Sequence, residues 1–237
     1  MDYTTGATAH AAEAIVKLLM DALPIASVLD VGCARGTWLS AWAKAGVKEV
    51  QGVDGDYIAI DTLQIPPDCF LPSNLGNTLN LARRFDLVQS LEVAEHIPSQ
   101  AADQFVENLV THANDLILFS AAPPGQGGEF HVNEQPYEYW RARFQAQGFE
   151  PCDVIRPRIA KDTSIPFWYR YNILLYVRRE RFDTLPETFR QSRVPGDAQI
   201  HDLTPAWFRL RKHVVRLLPF AVQQSLARLK ARRSRSA

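Results

Sequence analysis

The chain has 237 residues, 46% of them hydrophobic and 22% charged, which is ordinary for a globular protein and excludes a fibre, a disulfide scaffold or wholesale disorder. Lys+Arg and Asp+Glu balance at 26 each, but from His201 onward nine basic residues face a single acid, Asp202. The protein therefore has an acidic body and a basic tail.

In chain order, residues 8–23 carry Ile15, Leu18, Leu19 and Ala22 at helical spacing and predict an amphipathic helix stopped by Pro24. Residues 27–31 predict a strand that breaks into Gly32-Cys33-Ala34-Arg35-Gly36. A helix is expected over 37–45, closed by Gly46, and a second strand over 47–53. Strand, turn, helix and strand within about thirty residues make a βαβ unit with parallel strands and a right-handed crossover. The alternation continues with a strand over 85–90, a helix over 99–113 and a nearly all-apolar strand over 116–120, as suits a strand covered on both faces. A Pro/Gly-rich loop over 122–136 leads to a helix over 137–147. Two last β-leaning runs, around 154–158 and 171–177, have no helix between them and are expected to pair antiparallel.

The expected fold is α/β, a Rossmann-like three-layer sandwich with a mostly parallel seven-stranded sheet whose last strand is antiparallel. Residues 1–180 form the body and 181–205 a linker or wrap-around arm. Residues 206–237 form a basic amphipathic tail, with a break expected at Pro219. Cys33, Cys69 and Cys152 are odd in number and lack metal-site spacing, so they are expected to be reduced thiols. The N-terminus lacks the features of a signal peptide, and no run approaches 18 apolar residues. A cytoplasmic protein is expected.

In open α/β sheets ligands bind beyond the carboxyl ends of the strands. In Asp30-x-Gly32-x-x-x-Gly36, one glycine follows the first strand and another opens the helix. A dinucleotide fingerprint, G-x-G-x-x-G, is not present. Asp54 ends the second strand, where a carboxylate can accept from the two hydroxyls of a ribose. These features suggest adenosine without a pyrophosphate, and argue against a nucleotide-dependent oxidoreductase.

Val28-Leu29-Asp30-Val31-Gly32-Cys33-Ala34-Arg35-Gly36 with Gly52-Val53-Asp54 resembles the nucleotide-binding half of the class I S-adenosylmethionine (SAM)-dependent methyltransferases. So do Phe85-Asp86-Leu87-Val88 with Leu91-Glu92-Val93-Ala94-Glu95-His96-Ile97, and Ser73-Asn74-Leu75 ahead of them. The resemblance covers about residues 25–178 and implies SAM as cofactor, with S-adenosylhomocysteine as product. It implies that Asp30, Gly32, Cys33 and Gly36 border the methionine end. Asp54 and Gly55 would lie at the ribose, Asn74 and Leu75 at the adenine, and Ser90 and Leu91 at the methionine ammonium. Asn74 stands where the family usually has Asp, and Ala34 where the turn's middle residue is usually glycine.

Methyl transfer to a hydroxyl requires in-line positioning, exclusion of water and a base with pKa near neutral, which points to histidine. His131, in the loop after the fifth strand, is the favoured base. His96, after the fourth strand, is held in reserve, with Glu95 able to orient it; the alternative is that His96 only pins its loop. Asn133, Trp168 and Tyr169 are candidates to line the acceptor pocket, though the aromatic run could equally cap the core. No carboxylate-rich cluster suggests a metal, so none is expected. The block Phe119-Ser120-Ala121-Ala122-Pro123-Pro124-Gly125, with His131-Val132-Asn133-Glu134-Gln135 and Trp168-Tyr169-Arg170-Tyr171-Asn172, resembles a bacterial branch of the family associated with polysaccharide and other glycoconjugate pathways. It implies O-methylation of a sugar or glycan hydroxyl. The alternatives are a small-molecule or natural-product O- or N-methyltransferase, and a catalytically silent partner. The tail interleaves Trp207, Phe208, Leu210, Val214, Leu217, Leu218 and Phe220 with arginines. That suits a helix on the anionic inner membrane face or a docked helix with a solvated basic end. Nucleic-acid binding is disfavoured because the body is acidic and no such motif accompanies the charge.

Overall fold

The computed structural model of the protein describes residues 5–218 together with Val222 and Ser225. The first helix, α1 (Thr5–Met20), precedes β1 (Ser27–Val31), α2 (Thr37–Lys44) and β2 (Glu49–Asp54). A three-residue strand, β3 (Phe70–Pro72), follows, then β4 (Phe85–Leu91), α3 (Ala102–His112), β5 (Ala113–Ser120) and α4 (Tyr137–Ala146). The chain continues through β6 (Phe149–Cys152), α5 (Arg156–Ile159), α6 (Phe167–Asn172), β7 (Leu174–Arg178), α7 (Glu187–Arg190) and α8 (Ala206–Arg216). The seven strands form one sheet in the order β3-β2-β1-β4-β5-β7-β6. All neighbouring pairs are parallel except those that β7 makes with β5 and β6.

The central strands β1 and β4 are buried on nearly every residue, because helices cover both faces of the sheet. On one face, Ile15, Leu19, Trp42, Leu87 and Leu118 pack with Leu175 and Ile155; on the other, Leu29, Val88, Phe105 and Ile117 pack with Phe119 and Phe144. In the second core the rings of Phe144 and Tyr176 are 4.2 Å apart, and Phe119 stands edge-on to Phe144 at 5.1 Å.

The sixth strand is not where the sequence places it. Residues 154–158 lie in a loop and α5, and β6 runs instead through Pro151. Proline is tolerated there because β6 is the sheet edge, where one missing N–H breaks no interior ladder. Val154 and Ile155 serve the core as buried loop residues. Tyr171, expected in the last strand, belongs to α6. The short β3 has no periodic signal of its own; it is held by pairing with β2 through Gly52, Val53 and Asp54.

After β7 the chain wraps round the β6 edge. Arg141 of α4 donates to the carbonyls of Val194, Pro195 and Ala198. Arg156 is fully buried, paired with Asp153 at 2.7 Å, and donates to the carbonyl of His201. The chain then turns into α8, where Phe208 stacks edge-on against Phe167 at 4.9 Å and Lys212 pairs with Asp202. Pro219 and the basic residues of 228–235 lie outside the described residues. Among the described residues no helix is long and apolar enough to cross a membrane.

Phe144 is fully buried between two rings. Truncating it in Phe144→Ala is expected to cost about 3–5 kcal/mol, read as a lowered denaturant midpoint in chemical unfolding.

Candidate active site

The carboxyl ends of β1, β2, β4 and β5 meet along one edge of the sheet. Beyond β1 the chain turns at Gly32 (φ 92°), whose N–H donates to the Val53 carbonyl at 2.7 Å. A Cβ on Gly32 would come within 2.3 Å of the Val93 side chain, so glycine is required by space as well as by backbone angle. Ala34 follows at φ 48° and donates its N–H to Asp54 Oδ2 at 2.7 Å. The other oxygen, Oδ1, accepts from the Gly55 N–H and the Tyr57 hydroxyl, each at 2.7 Å. One carboxylate thus ties the turn after β1 to the end of β2. A ribose diol arriving there would compete with the Tyr57 hydroxyl. Tyr57 was not singled out from the sequence, and only its spacing of three from Asp54 could have suggested it.

Asp30 is buried, and burial holds its carboxyl up at about 7; a hydrogen bond from Gln89 opposes this and the Asp54 charge adds to it. Such a carboxyl is suited to a cationic ligand, whose arrival would favour the ionised form. Within this turn the Cys33 thiol reaches only the Ala34 carbonyl, at 3.6 Å. It packs toward Gly52, and burial pushes its pKa up. Asn74 is exposed and its side-chain oxygen accepts from the Gly76 N–H at 3.0 Å, while Leu75 leans on the second core. Ser90 is fully buried, its hydroxyl donating to the Val31 carbonyl at 2.7 Å, and Leu91 ends β4 beside it. The turn, the acid at the end of β2 and this pair fit an adenosyl-amino-acid ligand without a phosphate cradle.

Next to this cleft, the loops after β4 and β5 bring two histidines together, with rings 4.9 Å apart and perpendicular. His131 Nδ1 lies 2.8 Å from Glu134 Oε1, and its Nε2 lies 3.9 Å from Glu95 Oε1. Glu134 also accepts the N–H groups of Gly127 at 2.7 Å and Gly125 at 2.8 Å, so one carboxylate shapes the loop and holds the imidazole. Gly128 leaves room for the ring, since a Cβ there would fall 2.0 Å from His131 Nε2. The backbone carbonyl of Glu95 accepts from Val132 and Asn133, which fixes one loop to the other.

Glu95 does not orient its neighbour His96, as the sequence suggested; it faces His131. His96 Nδ1 instead lies 3.2 Å from the Phe130 carbonyl. Burial, with repulsion from His131, lowers the His96 pKa to about 4. Glu95 is 1% exposed, and burial and the Glu92 charge push its carboxyl well up; its Oε2 has no hydrogen-bond partner. Glu92, in the left-handed region at φ 56°, accepts from the Asn172 and Gln126 amides. Its carboxyl is also raised, by burial. Asn133 is buried, and its Nδ2 has no partner among the described residues. Trp168 is half-buried, whereas Tyr169 belongs to the core, its hydroxyl 3.4 Å from Trp38 Nε1. Glu134, Glu92 and Gln126 were missed in the sequence because their roles arise only from loop contacts. The expectation of no metal rested on the lack of a carboxylate-rich motif; side-chain donor atoms of Glu95, His96 and His131 nonetheless converge within 4.8 Å of one another.

The family described as a methyltransferase domain matches residues 7–146. No curated protein matches the chain. Among solved structures, magnesium protoporphyrin IX methyltransferase (ChlM) from Synechocystis PCC 6803 with bound SAM aligns with TM-score 0.54 at 20% identity, over 73% of this chain and 80% of its own. The sugar N-methyltransferase KedS8 from Streptoalloteichus sp ATCC 53650 aligns with TM-score 0.54 at 17% identity, over 75% and 89%. CalS10, an amino pentose methyltransferase from Micromonospora echinaspora, aligns with TM-score 0.51 at 16% identity, over 75% and 92%. At these identities the likeness is one of fold.

The depressed His96 pKa has a measurable consequence. The folded protein takes up this proton near pH 4, while the unfolded chain takes it up near 6.5. This histidine's contribution to stability is therefore present above pH 6.5 and is lost as pH falls toward 4. An NMR titration of the imidazole C–H resonances should give a His96 midpoint near 4, and His96→Gln should flatten that part of the stability profile.

Proposed function

Because the chain belongs to the methyltransferase-domain family and is a SAM-dependent methyltransferase, we propose that it transfers the methyl group to a hydroxyl of a sugar or glycoconjugate, with His131 as the proton acceptor. The observation that carries this reading is the His131 imidazole, held at Nδ1 by Glu134 so that Nε2 faces inward beside Glu95. When bound, SAM supplies an electrophilic methyl group on a sulfonium. Asp54 takes the ribose hydroxyls, giving up the Tyr57 hydroxyl in exchange. Asn74 and Leu75 bound the adenine. The carbonyls of Ser90 and Leu91 receive the ammonium, and Asp30, Gly32, Cys33, Gly36 and Gly55 complete the wall of the cleft.

With Nδ1–H donated to Glu134, the neutral ring carries its lone pair on Nε2. It can take the proton of an acceptor hydroxyl while the Glu134 charge stabilises the imidazolium that forms. His96, with its pKa lowered to about 4, lies below the neutral range a base needs and is the weaker of the two candidates. A saccharide suits the two orphaned buried atoms beside it, since its hydroxyls can donate to Glu95 Oε2 and accept from Asn133 Nδ2. Trp168 offers an aromatic wall for the sugar's apolar face. The names of KedS8 and CalS10 attach sugars to two proteins of this fold, which agrees with a sugar acceptor, while KedS8 is named for transfer to nitrogen. The alternative, a small-molecule or natural-product O- or N-methyltransferase, differs in its need for a base. A neutral amine attacks through its own lone pair and releases a proton after the C–N bond forms, so it depends less on the His131–Glu134 pair than a hydroxyl does.

The acceptor is to be sought by incubating the protein with methyl-labelled SAM and glycan fractions, then looking by mass spectrometry for O-methyl sugars one CH₂ heavier. His131→Ala should lower turnover at saturating SAM by about 10²–10⁴-fold while SAM affinity stays unchanged. Turnover within about threefold of the parent would remove the base role, on the same scale of general-base contributions.

We also assign the tail a membrane contact, keeping the protein at the cytoplasmic face. Trp207 and Leu210 on α8 and Leu217 just beyond it are 69%, 65% and 70% exposed, and Arg209, His213 and Arg216 lie among them. Arg211 of the same helix donates to the Gln126 carbonyl, which places this stripe beside the acceptor loop and suits a membrane-borne glycan. Co-sedimentation with phosphatidylglycerol vesicles is expected, and should weaken at least fivefold in a Trp207→Glu/Leu210→Glu variant. Equal recovery with neutral vesicles would remove the electrostatic part of the assignment.

A further inference from the structure

We propose that Glu95, His96 and His131 form a binding site for one divalent transition-metal ion at the acceptor end of the cleft. The inference rests on the reading that this cluster faces the acceptor, but its test does not.

Three independent observations support the site. The first is convergence: side-chain donor atoms of the three residues lie within 4.8 Å of one another. Ligands about 2.1 Å from one ion stand at most about 4.2 Å apart, so the cluster needs only a modest side-chain closure. The second is tautomer. Each imidazole has its Nδ1 engaged by an oxygen acceptor, the Phe130 carbonyl for His96 and the Glu134 carboxylate for His131. With Nδ1–H donating to those oxygens, both rings carry the Nε2 lone pair. A carbonyl or carboxylate behind each ring is the arrangement that fixes metal-binding histidines. The third is a buried carboxyl oxygen with no hydrogen bond among the described residues. Glu95 is 1% exposed, yet Oε2 finds no hydrogen bond. Glu92 adds a second carboxylate close by, itself held by the Asn172 and Gln126 amides and so kept from collapsing onto the site. A cation offsets the burial of both acids, which would otherwise be costly.

The donor set selects the class of ion. Two imidazoles and one carboxylate suit Mn²⁺, Fe²⁺, Co²⁺ or Zn²⁺, whereas Mg²⁺ and Ca²⁺ favour oxygen donors throughout. Three protein ligands leave coordination positions open for an acceptor hydroxyl. In the loaded protein His131 Nε2 is a ligand and no longer the proton acceptor. The polarised hydroxyl would lose its proton to bulk water as the acceptor enters, before solvent is excluded; the oxygen's electron pair then forms the C–O bond, and the S–CH₃ bond breaks with its pair on sulfur.

The test uses the full chain, stripped with a chelator, returned to chelator-free buffer and titrated with Co²⁺ alone. One Co²⁺ per chain is expected, with visible d–d bands reporting nitrogen and oxygen ligation. Uptake should be lost in His96→Gln and in His131→Gln, and weakened about 10–100-fold in Glu134→Gln, whose carboxylate only orients a ligand. SAM calorimetry on the same preparations reports that the variants are folded. Uptake below one-tenth of an equivalent by the parent protein, on the order of the background expected without a site, would overturn the proposal without relying on any variant. Uptake unchanged in both histidine variants would overturn it too. If Co²⁺ fails to bind while SAM binds, the metal site falls and the methyltransferase reading stands; if neither binds, that reading falls with it.

Discussion

The Asp54 carboxylate is the constraint around which the cofactor end of this molecule is arranged. It sits at the tip of β2 and receives the Ala34 N–H from the turn after β1 and the Gly55 N–H from its own exit. Hydrogen bonds to a carboxylate are about twice as strong as neutral ones, and Asp54 is nearly buried, so the turn's unusual backbone is held in place. Ala34 pays a steric cost in the left-handed region that a glycine would not, and the carboxylate is what retains it there. With the turn fixed, the strand ends leave a cleft, which in the proposed reading would take the adenosyl group, flanked by the loops after β4 and β5.

Those two loops carry the residues to which the proposal gives the proton transfer. They are joined by backbone hydrogen bonds from Val132 and Asn133 to the Glu95 carbonyl. Glu134 pins the turn from Gly125 to Gly127 and one imidazole together. The site is therefore built from two adjacent parallel strands rather than from one motif. The arm that follows β7 returns to the same region through Arg156, Asp202 and Lys212, and sets α8 against the acceptor loop.

The turn after β1 and the acid at the tip of β2 were legible in the sequence because their determinants are local. Gly32 and Gly36 punctuate one βαβ unit, and Asp54 ends the next strand within it. The sheet itself was legible where strands are apolar and central. It was not where an edge strand runs through Pro151, since proline argues against a strand until its edge position is known. Tyr171 was misplaced because an aromatic run of strand-like composition forms a short helix before β7. The acceptor half was legible only in part. His96 and His131 were both visible as candidates, but Glu95 was matched to its chain neighbour, and its actual facing of His131 follows from the pairing of β4 with β5. Glu134 lies three residues from His131, a spacing with no meaning outside this loop. Cys33 stands in the cofactor motif by position, yet its side chain faces the core.

The measurement that bears most directly on the central claim is calorimetry of SAM binding to the parent protein and to Asp54→Ala. If Asp54 both shapes the turn and takes the ribose, the parent binds one SAM and the variant binds it at least tenfold more weakly, a loss of about 1.4 kcal/mol or more, while remaining folded. Equal affinity in the two proteins, or a parent that binds NAD in preference to SAM, would contradict the account.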